Sequence, residues 1–260
     1  MGYSPIGRPI MSVYFYFLDG MLIDTGQSRM RRFALDAIGQ RPVEAILLTH
    51  HHEDHSGNAA AFQKRSGASV YGHAITAAKL TRSYRILPYQ HMIWGRTSPA
   101  RVKPIIVPFE SKHHVLVPVE TPGHSKDHLV YHEANQGWLF SGDLYIGERI
   151  KFFRSDEKMD QQIDSLKKVL QLDFDTLFCA HNPCPRHGKR HLARKLEYLE
   201  GLRHEVGRLY RQGYPEKEII RRLDPKTDRR VKWMTMGNAS FANMVRSAIG
   251  SEKAKEKGKR

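Results

Sequence analysis

Within six consecutive positions of this 260-residue chain stand His50, His52, Asp54 and His55, in the run Thr49-His50-His51-His52-Glu53-Asp54-His55-Ser56-Gly57. Imidazole and carboxylate groups so grouped are a ligand set for zinc, and for iron or manganese. Composition alone yields about 0.002 chance occurrences of His-x-His-x-Asp-His in such a chain, so the cluster reads as a metal centre. Three more ligand types stand at the ends of expected strands: His124 in Glu-Thr-Pro-Gly-His-Ser, Asp143 in Leu-Phe-Ser-Gly-Asp and His181 in Phe-Cys-Ala-His-Asn-Pro. Two metals about 3.5–4 Å apart lower the pKa of a shared water and polarise the electrophile it attacks, so no serine or cysteine nucleophile is required. In that chemistry Asp54 accepts a proton or orients the hydroxide, and Tyr145 is a donor for the developing oxyanion.

The elements that must position these groups follow from hydropathy patterning. Strands are expected at 13–18, 21–23, 44–48, 69–71, 115–119, 128–132, 138–141 and 176–179, with Ala134-Asn135-Gln136-Gly137 as a hairpin turn. Helices are expected at 28–38, 57–64, 75–80 and 160–170. If the strand at 44–48 runs on through the histidines, His50 and His52 project to one side, and Asp54 and His55 follow in the turn before the next helix. His51 then points away, while His113, His114, His128 and His132 fall on strand faces or behind the ligands. Hairpin and crossover connections together predict layered sheets with helices outside. Residues 81–103 lack a period; their Tyr84, Arg85, Tyr89, Trp94 and Arg96 suit a substrate lid or a solvated excursion. Leu192, Leu196, Leu199, Leu202, Val206 and Leu209 recur at spacings of three and four, which predicts a long helix docking one apolar face. Pro215 opens a further helix, and Asn238 or Ser240 caps a last one ending near Ile249.

With 40% hydrophobic and 27% charged residues the chain is neither disordered throughout nor collagen-like. No apolar run approaches the roughly 20 residues that span a bilayer, and residues 1–10 lack the order of a secretory signal, so a cytoplasmic location without membrane contact is expected. The two cysteines, Cys179 and Cys184, exclude a disulfide framework and read as inert thiols. Forty-two Lys and Arg against 27 Asp and Glu give a net charge of +15, and residues 191–260, with 18 basic and 9 acidic side chains, supply +9 of it. Such charge attracts anions, either a small anionic substrate or the phosphates of a nucleic acid. The tail at 251–260 reads as a basic, disordered end.

The ordered set Asp24 in Leu-Ile-Asp-Thr-Gly, His50-x-His52-x-Asp54-His55, His124, Asp143 and His181 resembles all five motifs of the metallo-β-lactamase-fold metallo-hydrolases over roughly residues 12–185. Glyoxalase II-like and lactonase-like members share the pattern. The resemblance implies an α/β (α+β) fold, an αββα sandwich over residues 1–185, followed by a helical segment at 186–250. His50, His52 and His124 would bind a first metal, Asp54, His55 and His181 a second, and Asp143 would bridge them, with Asp24 supporting the ligand loops. The cofactor expected is Zn2+, two per chain, with Fe or Mn as the other metals of this ligand set. The function implied is a dinuclear metal-dependent hydrolase whose metal-bridging hydroxide cleaves an ester, thioester or lactone of a small anionic substrate.

The alternative is a metal-dependent phosphodiesterase or endoribonuclease acting on nucleic acid through the basic C-terminal segment. Its tRNA-3'-processing type carries an additional His that residues 144–180 lack. The Gly-Cys-Gly-Arg signature of hydroxyacylglutathione thioesterases is replaced by Ile146-Gly147-Glu148-Arg149. Homoserine lactonases place a Tyr three residues beyond the bridging Asp, where this chain has Tyr145 two beyond.

Overall fold

The computed structural model describes residues 1–3, 9, 11–105, 107–224 and 229–257. In chain order the first elements are β1 (Tyr16–Leu18), β2 (Met21–Ile23), α1 (Arg31–Ile38), β3 (Ala45–Leu47), α2 (Glu53–Ser56), α3 (Ala59–Ser66), β4 (Ser69–Gly72) and α4 (Ala74–Leu80). There follow α5 (Pro88–Ile93), β5 (Val102–Pro104), β6 (Phe109–Glu110), β7 (Val115–Glu120), β8 (Leu129–Glu133), β9 (Trp138–Gly142), β10 (Phe153–Arg154) and α6 (Met159–Val169). The chain ends through β11 (Thr176–Cys179), α7 (Gly188–Arg211), α8 (Glu216–Leu223), α9 (Arg229–Met234), β12 (Ala239–Ser240) and α10 (Phe241–Lys257). These elements form two compact units, the first made of residues 1–121, 126–146 and 172–189, the second of 122–125, 147–171 and 190–260.

The first unit holds two five-stranded sheets, ordered β1-β2-β3-β4-β5 and β11-β9-β8-β7-β6. From β2 to β5 the pairing is parallel, whereas β6 to β9 run antiparallel and β11 joins β9 in parallel. Alternation of side chains along each strand divides the apolar residues between two cores. Met21, Ile23 and Leu47 pack with Leu116, Leu129, Tyr131 and Phe140 of the other sheet. Leu22, Ile46, Leu48 and Val70 point the other way, against Ala34 and Ile38 of α1, Phe62 of α3 and Leu80 of α4. Burial on both faces is why β2 and β3 read as unbroken apolar runs rather than alternating ones. Each large aliphatic side chain so enclosed contributes about 1.5–3 kcal/mol.

In the second unit, β10 and β12 form an antiparallel ribbon, Phe153 opposite Ser240. The backbone N–H of Met159 at the start of α6 donates to Ser247 Oγ of α10 at 2.8 Å, and Asn243 Nδ2 donates to the Phe153 carbonyl at 3.1 Å. Residues 147–171, within the 1–185 span that the resemblance implied for the sandwich, group with the C-terminal helices, their partners being the ribbon and α10. The heptad-like stripe of α7 is borne out in its buried Leu192, Leu199, Val206 and Leu209. Ser240 caps α10, its Oγ accepting from Asn243 N at 3.3 Å.

Three expectations are corrected. Residues 81–103 hold α5 and the start of β5, and Tyr89, Gln90 and Ile93 are buried, so the segment is docked rather than loose. Residues 251–257 of the expected basic tail continue α10, where Glu252 is buried and pairs with Arg211 and with Lys255 at 2.8 Å; 258–260 lie outside the described residues. Strand β3 stops at Leu47, so pleat alternation does not align the histidines. Among the described residues no helix is long and apolar enough to cross a membrane.

Candidate metal centre

The ligand loop leaves β3 and is held by Asp24, the residue that follows β2. Asp24 is buried in the left-handed region at φ +57°. Its Oδ1 accepts the Thr49 N–H at 2.8 Å, and its Oδ2 accepts Thr49 Oγ1–H at 2.8 Å and faces His55 Nδ1 at 2.7 Å. Thr25 then takes the His55 carbonyl on both its N–H and Oγ1, each at 2.7 Å. Gly57 lets this junction close: a Cβ there would lie 2.7 Å from Ser28 N and 2.8 Å from Gly26 O.

Those bonds decide which ring nitrogens carry hydrogens. Thr49 Oγ1 spends its hydrogen on Asp24, so it accepts from His50 Nδ1 at 3.0 Å, leaving His50 Nε2 as a lone pair 2.8 Å from His52 Nδ1. His55 Nδ1–H donates to Asp24, which leaves Nε2 bare; that atom is buried, forms no hydrogen bond, and faces Asp143 Oδ1 at 3.3 Å and Asp54 Oδ2 at 3.8 Å. His181 Nδ1–H donates to the Ser12 carbonyl at 2.8 Å, so its Nε2 faces Asp54 Oδ2 at 3.3 Å and Asp143 Oδ1 at 3.2 Å. Ligand atoms of Asp54, His55, Asp143 and His181 all lie within 4.8 Å of one another. Lone pairs aimed at buried carboxylates repel unless a cation stands between them. The residues therefore fit a metal ion.

Without one, protons take that place. Burial opposes charge on His55, but Asp143, Asp24 and Asp54 outweigh it and hold its pKa well above the ordinary value. Burial likewise opposes charge on His181, and Asp143 and Asp54 raise its pKa well above the ordinary value. Burial would raise Asp54, yet His55 and His181 bring it below the ordinary carboxylate value. Metal binding must displace these imidazolium protons, so zinc affinity is expected to weaken as pH falls below the raised histidine pKa values, by up to about tenfold per pH unit for each proton released. Calorimetric titration in two buffers of different ionisation enthalpy checks this: buffer-dependent heats are expected, and buffer-independent heats at neutral pH contradict it.

Asp143 follows β9 and is positioned through its backbone. Its N–H donates to His128 Nε2 at 3.0 Å, and His128 Nδ1–H reaches Thr121 Oγ1 at 2.7 Å. The preceding Gly142 sits at φ +47°, where a Cβ would lie 2.8 Å from His128 Nε2 and 2.9 Å from Thr49 Oγ1. Gly142→Ala is expected to destabilise by about 2–4 kcal/mol, from left-handed strain plus overpacking; denaturant unfolding showing under about 1 kcal/mol would contradict that. His124 lies in the second unit, its Nδ1 3.5 Å from Glu157 Oε2, which also accepts from Gln162 Nε2 at 2.6 Å. A carboxylate on one ring nitrogen is how ligating histidines are commonly oriented. Glu157 carries no motif and was missed in the sequence.

Tyr145 is buried, and its carbonyl accepts from Cys179 Sγ. Burial pushes the Cys179 thiol up to about 11, so it is no nucleophile. His51 points elsewhere, its Nδ1 within 2.9 Å of both oxygens of Asp127 and its Nε2 accepting from Lys79 Nζ at 2.7 Å. The neighbouring Glu53 is buried and accepts from Gln90 Nε2 of α5 at 3.0 Å and from Tyr84 Oη at 3.3 Å, which pins the 81–103 segment to the ligand loop.

A family model for the metallo-beta-lactamase superfamily matches residues 12–181. The beta-lactamase-like protein 2 homolog of Drosophila melanogaster is 30% identical over 203 residues, covering 70% of this chain and 62% of that protein. A hydroxyacylglutathione hydrolase of Legionella pneumophila is 31% identical over 61% of this chain and 56% of its own length. The chain thus spans roughly three fifths of these relatives. Among solved structures, a metallo-beta-lactamase family protein from Thermus thermophilus matches with a TM-score of 0.66 at 20% identity, covering 98% of this chain and 92% of that one.

Proposed function

The chain belongs to the metallo-β-lactamase superfamily, and from that premise we propose that it is a metal-dependent hydrolase that holds two zinc-class ions and cleaves an ester, thioester or lactone of a small anionic substrate. One observation carries the reading: the Nε2 atoms of His55 and His181 converge on the buried carboxylates of Asp54 and Asp143 at 3.2–3.8 Å. His50 and His52 would hold the first ion, Asp54, His55 and His181 the second, and Asp143 would serve both. When bound, two divalent ions would supply a hydroxide near neutral pH and a Lewis acid for the carbonyl. Asp54, kept ionised beside two histidines, takes the proton released as the tetrahedral intermediate collapses. Tyr145 donates to the oxyanion, a role that suits a buried hydroxyl two residues from Asp143.

The net charge of +15 favours an anionic substrate. A relative named as a hydroxyacylglutathione hydrolase favours the thioester within this class. Glu148, in the stretch standing where those enzymes carry Gly-Cys-Gly-Arg, is engaged by His191 Nδ1 at 2.8 Å and Arg194 at 3.0 Å. The acyl carrier is therefore taken to be other than glutathione. A second reading, cleavage of nucleic acid, is favoured by α9, where Arg229, Arg230 and Lys232 are exposed beside Trp233, itself 85% exposed. A panel of acyl-CoA and glutathione thioesters, lactones, β-lactams, phosphodiesters and RNA, run on the wild type beside His52→Ala, tests both. Turnover of an ester, thioester or lactone that His52→Ala loses supports the first reading; cleavage of RNA alone replaces it with the second.

A further inference from the structure

Two buried carboxylates brace the ligand loop, and only one belongs to a motif. Asp24 holds Thr49, just before His50, and the ring of His55. Asp127 holds His51, the residue between His50 and His52. Its Oδ2 accepts the His51 N–H at 3.0 Å, both its oxygens lie within 2.9 Å of His51 Nδ1, and Oδ2 also accepts Thr76 Oγ1–H of α4 at 2.7 Å. The Asp127 side chain is fully buried, and that of His51 is 8% exposed. With Nδ1–H given to Asp127, His51 Nε2 accepts from the Lys79 ammonium, also of α4, at 2.7 Å. The chain Asp127, His51, Lys79 thus joins a buried anion to a cation at the surface, which offsets much of the cost of burying it.

This arrangement does something that the strand does not. Because β3 ends at Leu47, nothing in the sheet ladder sets the peptides of residues 50–52. With both its peptide N–H and its ring anchored on one carboxylate, His51 cannot rotate independently of α4 and the start of β8. The flanking rings are thereby kept with His50 Nε2 and His52 Nδ1 2.8 Å apart.

We propose that Asp127 is a positioning residue for the ion held by His50 and His52, acting through His51, as Asp24 acts on the ion held by His55. The inference rests on the assignment of His50 and His52 as ligands. Loss of an outer partner of this kind typically weakens a metal by about 10–100-fold. Loss of Asp127 should weaken one ion selectively, whereas loss of a residue that merely supported the fold would weaken both together.

Zinc titration of the metal-free full-length chain, with cobalt(II) absorption as a second readout, tests this on wild type, Asp127→Ala, Asp127→Asn and His52→Ala. The expected result is two ions in the wild type, one of them bound about 10–100-fold more weakly by Asp127→Ala, and a smaller loss in Asp127→Asn, which keeps an acceptor for the His51 N–H. The cobalt spectrum should change for that ion alone. If Asp127→Ala does not fold, Asp127→Asn carries the same comparison. A folded Asp127 variant that binds both ions as the wild type does, or loses both in parallel with its thermal midpoint, overturns the proposal. Unchanged binding by His52→Ala would instead bring down the ligand assignment beneath it, a separate and recognisable result.

Discussion

Asp54→Ala is expected to lower kcat by about 10²–10⁴-fold with a much smaller change in KM. In the folded chain the Asp54 carboxylate lies 3.3 Å from His181 Nε2 and 3.8 Å from His55 Nε2, and under the proposed function it serves both as a ligand and as the proton acceptor. Alanine removes both functions, and it leaves His55 and His181 with Asp143 between them. Asp54→Asn separates the two: it keeps an oxygen for the metal while losing the proton acceptor, so metal content should survive better than turnover. Steady-state kinetics beside metal content checks this, and an Asp54→Ala chain with wild-type turnover would rule out the assigned role.

Asp24→Ala should show the largest loss of stability, about 3–5 kcal/mol, because it strips a buried carboxylate from its partners. Three groups lose their acceptor at once: Thr49 N, Thr49 Oγ1 and His55 Nδ1. Each stranded buried donor costs about 1–3 kcal/mol. Backbone strain adds to this, since position 24 sits at φ +57°, which Asp and Asn tolerate better than Ala. Asp24→Asn should therefore retain part of the stability while still failing to orient the His55 ring. Denaturant unfolding in the presence of a chelator isolates the protein term from metal linkage. A loss below about 1 kcal/mol would show that Asp24 does not hold the loop.

Much of the architecture was legible because it depends on local period. Apolar runs around Leu22 and Ile46 marked the buried strands, the spacing from Leu192 to Leu209 marked α7, and the turn at Gly137, where φ is +64°, marked the β8–β9 hairpin. The candidate ligands were legible through residue type beside strand ends. What failed depends on contacts distant in sequence. Asp127 lies 76 positions from His51 and Glu157 lies 33 from His124, and no periodicity links either pair. Helix α5 is six residues long and owes its place to Gln90 and Tyr84 bonding Glu53. The end of α10 was misread because charge density suggests solvation: Lys255 pairs with Glu252 one helical turn away, while the Arg211 partner of Glu252 becomes visible only when α7 and α10 are assembled.

Metal content of the purified full-length chain, measured before and after zinc reconstitution and set beside hydrolysis of the best substrate on the panel, tests the central claim most directly. Two divalent ions per chain are predicted in the wild type, at most one in His181→Ala, and hydrolysis that disappears with chelation and returns with zinc. A chain that takes up no metal after reconstitution, or one that hydrolyses its substrate equally well with and without metal, would contradict the account.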